Sequence, residues 1–305
     1  MLEKSLESTA DMIIYDLEDS VPPTELDKVE AREMLVKFLK QRKSDLPDSQ
    51  RIAVRVNGIS TPFFSDDVAQ VLATSAVGSL VLPKIHVPRD LSHVTRAIYV
   101  SSQASRDSSP YVGIIASIES ARGLHNVGHI ATWRSEYGPR LGGRLNALLF
   151  AAEDYCADTS VLRTPSRREL LYARSAVVTT AKAFGLDAID MVCVNYKDSD
   201  YLKEECIDGK QLGFTGKQAI HPSQISVIQS TFLPSSEDAH DDGMGAVGLE
   251  GRMIDFPVLR QARATIRFAS AAGLEIPPIK ASPLMASPRM ASPLMATLMD
   301  MRQDT

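Results

Sequence analysis

Short aliphatic and β-branched runs recur along the chain, each ending in polar residues: Met12–Tyr15, Ile52–Val56, Ser79–Leu82, Val112–Ile118, Ala147–Phe150 and Ala188–Val194, with Lys217–Ile220 a weaker candidate. These runs are continuous rather than alternating. That is the pattern of strands buried on both faces, the situation inside a parallel sheet. Between them lie stretches with helical character: Glu25–Gln41, Phe64–Ala73, Leu91–Ser101, Ser120–Ile130, Ser166–Phe184 and Ser223–Gln229. Strand followed by helix, repeated along the chain, predicts βαβ units. Boundary signals agree with the periodicity. Thr61-Pro62 and Pro165-Ser166 stand at helix starts, and Gly185 stands where a long Ala-rich helix would end in a left-handed cap.

The fold class is therefore α/β. The β-then-α units number one fewer than a (β/α)8 TIM barrel needs. An open, doubly wound sheet is the competing architecture, weakened because no glycine-rich turn follows the first strand. The barrel domain is expected over residues 1–230. Pro234–Gly251, rich in Ser, Asp and Gly, reads as a flexible loop, and Arg252–Ala272 as a helical segment. Together they make a C-terminal region over 231–272. Beyond Gly273 a repeated Ala-Ser-Pro-x-Met pentapeptide forms a low-complexity tail, 273–305, in which recurrent proline opposes a regular helix.

Composition narrows the function classes. The 305 residues are 44% hydrophobic and 23% charged, with a formal net charge of −5, which suits a globular protein with a substantial core. A mildly acidic chain without Lys/Arg runs has no electrostatic reason to bind nucleic acid or a membrane surface. Three cysteines, none in a Cys-x-x-Cys pair, argue against a disulfide framework. They fit a reducing compartment such as the cytoplasm or the mitochondrial matrix. The opening residues are too polar for a signal peptide and too acidic for a transit peptide. No apolar run reaches the length of a membrane span.

Candidate chemistry collects at the strand ends, where barrel active sites form. One acidic cluster is Asp16, Glu18 and Asp19 in Tyr-Asp-Leu-Glu-Asp-Ser; a second is Glu119; a third is Glu153-Asp154. A fourth, Asp187 to Asp190, lies at a strand start and reads as structural. Glu119 and Asp154 end successive strands and make a candidate pair for a hard cation. Such an ion takes one or two protein carboxylates and keeps the remaining positions for water and substrate. The alternative is that each caps a helix or pairs with an arginine. Arg55 and Lys84 are cations at two further strand ends. Arg55 is placed to grip a substrate carboxylate or to pair with Asp16, Glu18 or Asp19; flanked by valines, it needs a partner either way. His221, held extended before Pro222, reads as a packing or hydrogen-bonding residue, and the cysteines as small buried hydrophobes.

Five runs, YDLEDSV, VRVNG, LPK, IESARGL and AAEDYCADT, are followed by RTPSRRELLYARSAVV, GFTGKQAIHPSQI and GRMIDFPVLRQA. In order and spacing they resemble the citrate lyase β-subunit/malyl-CoA lyase family within the HpcH/HpaI aldolases, and especially its citrate-lyase-β-like, citramalyl-CoA lyase-type members. The resemblance covers roughly Asp11 to Ala272. It implies a (β/α)8 barrel in trimers or hexamers, Mg2+, and a CoA thioester substrate cleaved to acetyl-CoA and a 2-keto acid, with thioester hydrolysis as a side activity. It also implies roles. Glu119 and Asp154 match the metal ligands, Glu119 also touching substrate, and Arg55 matches the arginine that binds the keto-acid carboxylate. Glu18 and Asp19 match acids around the metal's water shell. Asp255 matches an acid carried on a C-terminal lid into a neighbouring subunit's site. Lys84 is the further substrate-binding candidate.

Two features depart from the family. The strand that usually opens it, ending in a Tyr-Val-Pro-Gly-like segment after basic residues that help bind CoA, has no counterpart, so the chain is expected to begin just before the barrel's second strand. The pentapeptide tail also has no family equivalent. Two other functions therefore stand beside the lyase: a CoA-independent aldolase using the same metal pair and arginine, and a truncated, non-catalytic barrel that binds only a ligand or a partner.

Overall fold

The computed structural model describes residues 2–104, 111–233 and 256–271. The chain divides into two compact units, Met1–Phe232 and Leu233–Thr305.

The first unit is built on seven parallel strands, hydrogen-bonded in sequence order: β1 (Ile13–Asp16), β2 (Ile52–Arg55), β3 (Ser79–Leu82), β4 (Gly113–Ile118), β5 (Arg144–Phe150), β6 (Asp187–Asp190) and β7 (Gly216–Lys217). Each strand lies beside its predecessor and the order never reverses. A doubly wound sheet has such a reversal at its switch point, so that alternative fails. What is observed is a curled, parallel α/β half-barrel. The helix after β7 returns to the chain before β1, where Gln229 Nε2 donates to Thr9 O at 2.9 Å and to Asp11 Oδ2 at 3.2 Å.

Alternation within each strand sorts side chains to two faces. Ile13 and Tyr15, Ile52 and Val54, Leu80 and Leu82, Ile114, Ala116 and Ile118, and Leu148 and Phe150 join the main core beneath the helices. The other face carries a small second cluster of Ala53, Val81, Ile115, Ala147 and Leu149. The strands thus read as continuous apolar runs because both faces are covered. Ile14 on the edge strand β1, at 38% exposure, is the exception on the inner face.

The helices are α1 (Leu2–Ser5), α2 (Glu25–Gln41), α3 (Phe64–Leu72), α4 (Pro88–Ala104), α5 (Ala121–His125), α6 (Val127–Thr132), α7 (Gly138–Gly142), α8 (Ala152–Thr159), α9 (Leu171–Ala183), α10 (Ser199–Leu212) and α11 (Ile225–Phe232). Helix α2 has the predicted bounds, with Thr24 accepting from the Asp27 amide as N-cap. The helix predicted over Ser120–Ile130 is two helices broken at Asn126, whose side chain donates to His86 O and Arg122 O. The one predicted over Ser166–Phe184 begins later, because Arg167 takes φ 56° and a 3-10 turn precedes α9. Gly185, at φ 66°, closes α9 as expected, and the Leu186 amide returns to Ala181 O at 2.8 Å.

Asp187–Asp190, expected at a strand start, makes up the whole of β6, so that exposed Asp187 opens the strand and Asp190 ends it; Asp190 is nonetheless held in a buried structural pair. Asp190, fully buried, receives Arg174 of α9 at 3.1 and 2.7 Å. Glu205 of α10 receives Lys217 of β7 at 2.7 Å. These pairs bind the last two strands to their helices. All three cysteines are buried and free, and burial raises each thiol above its ordinary value, Cys206 to about 12. His221 caps the turn Pro222–Gln224 and stacks on Tyr196, a structural role.

In the second unit a helix, α12, spans Phe256–Ala271 within the segment expected to be helical. The Pro234–Gly251 loop and the pentapeptide tail lie outside the described residues. Among the described residues no helix is long and apolar enough to cross a membrane.

Candidate active site

Parallel strands end on the same side of a sheet, so residues just past β1, β2, β3, β4 and β5 share one mouth. Register places Asp16 opposite Arg55. Ile118 stands opposite Phe150, and the Ala151 amide extends that ladder to Ile118 O at 3.2 Å. Glu119 and the start of α8, with Glu153 and Asp154 in its first turn, are therefore neighbours.

Arg55 organises the β1 side. Its Nε and one terminal nitrogen donate to the two Asp16 oxygens at 2.7 and 2.6 Å, a bidentate fork. The other terminal nitrogen lies 3.1 Å from both Asp19 and Glu18. Asp16, Glu18 and Asp19, each a possible partner from sequence, thus all hold the same guanidinium. Burial opposes ionisation of Asp16, but Arg55's hydrogen bond and charge hold its carboxyl below the usual range. Arg55 is correspondingly raised despite its own burial. Asp19, at 56% exposure, is the partner most easily exchanged for a ligand.

Lys84 joins the two halves. Its ammonium donates to Glu18 Oε1 at 3.0 Å and its backbone amide to Glu119 Oε1 at 2.9 Å. The residue itself takes φ 56°, a left-handed conformation that costs energy in a side-chain-bearing residue. The hydrogen bond to Glu18 leads the causes that raise the Lys84 ammonium. Burial raises Glu18 in spite of that bond.

Glu119 and Asp154 differ from the other acids at the mouth. Among the described residues neither sits in an ion pair with Lys, Arg or His within 4.0 Å. Burial, with the nearby Asp154 and Glu18 carboxylates adding to it, pushes Glu119 up to about 7 against opposition from Ser117 and the Lys84 amide. Asp154 is raised as well, by burial first and then by Asp19, with Lys84 and Arg55 opposing. Two desolvated carboxylates at one mouth, each disfavoured as an anion and neither ion-paired with a cation among the described residues, form an oxygen site that a hard divalent ion would relieve. No cluster of three or more His, Cys, Asp or Glu ligands occurs among the described residues. The donor set is therefore the sparse one that magnesium accepts, not the closed cage of a structural zinc.

The sequence-predicted residues Arg55, Lys84, Glu119, Asp154, Glu18 and Asp19 fall at one mouth, whereas Asp255 lies outside the described residues. Sequence reasoning did not single out Ser117, one inward position below Glu119, or the Lys84 amide as a donor. Alternation from Glu119 identifies the first; the second depends on the pairing of β3 with β4, which brings residues 84 and 119 together.

Residues 1–222 match the family model described as HpcH/HpaI aldolase/citrate lyase. The human mitochondrial citramalyl-CoA lyase is 33% identical over 275 residues, covering 86% of this chain and 79% of that protein. A (3S)-malyl-CoA thioesterase of Cereibacter sphaeroides is 32% identical over 283 residues, covering 88% and 90%. Among solved structures, the protein CitE of Mycobacterium tuberculosis in complex with magnesium, acetoacetate and coenzyme A superposes with a TM-score of 0.65 at 30% identity. That match covers 85% of this chain and 90% of the other.

Proposed function

The chain belongs to the HpcH/HpaI aldolase/citrate lyase family, and on that premise we propose that it is a magnesium-dependent carbon–carbon lyase acting on a 3-hydroxyacyl-CoA. Its substrate is of the citramalyl-CoA or malyl-CoA type, and its products are acetyl-CoA and pyruvate or glyoxylate. The observation that carries this reading is the convergence of Arg55, Glu119 and Asp154 at one mouth, with the two carboxylates in no ion pair among the described residues. The finer fold follows the family: a (β/α)8-type barrel with seven of its strands described, and a C-terminal loop and lid helix over 231–272. A homotrimer or hexamer, and residence in the mitochondrial matrix or the cytoplasm, belong to the same proposal.

Glu119 and Asp154 would hold the magnesium ion. Bound there, the ion supplies positive charge to the oxygens of the departing keto-acid fragment. Arg55, kept in place by Asp16, gives its remaining N–H groups to that fragment's carboxylate and fixes the scissile bond. Lys84, at 54% exposure, stands at the same mouth as a second cationic contact. As the bond breaks, the 3-hydroxyl gives its proton to solvent water and its carbon becomes the keto-acid carbonyl. The electron pair passes into the thioester enolate; protonated Asp255, carried in from a neighbouring subunit, delivers a proton to the enolate carbon and regains one from solvent. The family motif Met253-Ile254-Asp255 supports that last role.

The test is acetyl-CoA release from (S)-citramalyl-CoA and from malyl-CoA, with Mg2+ and with EDTA, for the wild type and Asp154→Ala. Metal-dependent turnover that the substitution reduces by at least a hundredfold is expected. Release of free malate and CoA in place of glyoxylate would mark the thioesterase outcome. Metal-dependent cleavage of a free hydroxy-keto acid without CoA would mark the CoA-independent aldolase. No turnover by folded protein would leave a barrel that only binds.

A further inference from the structure

Helix α8 carries Asp154 but has no side-chain cap at its start. Two struts hold it instead. On one side Asp158 accepts the Ala121 amide at 2.8 Å, tying α8 to the turn that follows Glu119. On the other side Glu153, next to Asp154, accepts Arg163 at 2.6 Å. Arg163 is a junction. At 12% side-chain exposure it also donates to Val192 O at 3.0 Å and to Glu205 at 3.0 Å. Glu205 in turn holds Lys217. The fully buried charges between β6, α10 and β7 thus extend, through this one arginine, to the helix bearing Asp154.

We propose that Arg163 is a positioning residue of the metal centre, fixing the first turn of α8 through Glu153 so that Asp154 faces Glu119. Residues 153 and 154 project about 100° apart around a helix of 3.6 residues per turn. Anchoring Glu153 to Arg163 on one side therefore sets the direction of Asp154 on the other. The inference rests on the reading of Asp154 as a metal ligand. Supports of this kind typically change metal affinity by about 10–100-fold.

The sign of the effect separates positioning from simple electrostatics. Were Arg163 only a nearby positive charge, its removal would strengthen cation binding. A positioning role demands that Arg163→Met weaken it. The experiment titrates the purified full chain with Mn2+, a magnesium substitute visible by electron paramagnetic resonance, and records the melting temperature of each metal-free variant. Glu153→Gln, at a side chain 46% exposed, and Arg163→Met should each weaken Mn2+ binding by about tenfold or more, and the double variant should lose little beyond either single one. Arg163→Lys should recover part of the loss. Glu204→Gln, which removes the exposed partner of Arg167 at the far end of the same charge cluster, should leave Mn2+ affinity unchanged. Wild-type or tighter Mn2+ binding by a folded Arg163→Met protein, or an unaltered affinity in Glu153→Gln, overturns the proposal. Asp154→Ala is the arm that isolates its premise. If that variant binds Mn2+ as the wild type does, or the wild type binds none, the metal reading falls and this inference with it. If Asp154→Ala loses binding while Glu153→Gln keeps it, only the positioning role falls.

Discussion

Glu119 holds its proton far more tightly than an exposed glutamate, because burial and two neighbouring carboxylates disfavour its anion. Its folded value of about 7 lies above the ordinary 4.5, so the folded state binds the proton more strongly than the unfolded chain does. The resulting stability is fully present below about 4.5 and is lost as pH rises through about 7. In the metal-free protein this amounts to on the order of 3 kcal/mol. Glu119→Gln, which mimics the neutral form, should therefore raise metal-free stability above neutral pH by a similar order, as read from urea unfolding. A cation must displace the same proton. Magnesium affinity should rise up to tenfold per pH unit below about 7 and level off above it, a profile that isothermal titration across pH 5.5–8.5 would measure. At Arg55 the same scale shows a guanidinium already shared among three carboxylates. Asp16→Asn should leave Arg55 less firmly placed and raise KM for the acyl-CoA more than it lowers kcat.

Secondary-structure elements followed the apolar pattern where burial was continuous and departed from it where charge carried the packing. The strand cores were legible, and β3 has the bounds read from sequence. Helix α10 was not foreseen. Its sequence, SDYLKEECIDGKQL, is mostly polar, and its buried face includes Glu205 and Gly209. Only after Glu205 meets Lys217, and Gly209 leaves room for Asp190, does that face become a packing face. A Cβ on Gly209 would stand 2.6 Å from Asp190 Oδ2. Asp198 before the helix and Gly213 after it were the readable signals, as N-cap and left-handed C-cap. The buried Arg174–Asp190 pair should be costly to break from one side. Asp190→Ala is expected to destabilise by about 3 kcal/mol in equilibrium urea unfolding, because it removes the bidentate partner of a buried guanidinium and leaves Arg174 only the partly exposed Asp208.

At the scale of the whole molecule, the unbroken order of seven parallel strands brings residues from distant parts of the chain to one mouth. Each of Asp16, Arg55, Lys84, Glu119 and Asp154 ends or follows a strand legible in the sequence, and the parallel order and curl of the sheet bring those strand ends together. Binding at such a shared site should stabilise the fold that assembles it. Magnesium at about a hundred times its dissociation constant is expected to add about 2.7 kcal/mol. Differential scanning calorimetry should show this as a rise in melting temperature that Asp154→Ala abolishes.

By itself the sequence determined the layers and the chemistry on offer. Continuous apolar runs specify strands covered on both faces, and the acids and cations that follow them mark the ends where a site can form. Eight motifs in order identified the family, because ordered spacing is a property of the chain and survives without coordinates. Only the tertiary structure decided what those groups do to one another. It gave Arg55 three carboxylate partners, brought the Lys84 amide to Glu119, and left Glu119 and Asp154 without ion pairs among the described residues. It also placed Arg163 between α8 and the buried charges of the last strands. Pairing, desolvation and proton affinity depend on distances between residues far apart in the chain, and folding alone sets those distances.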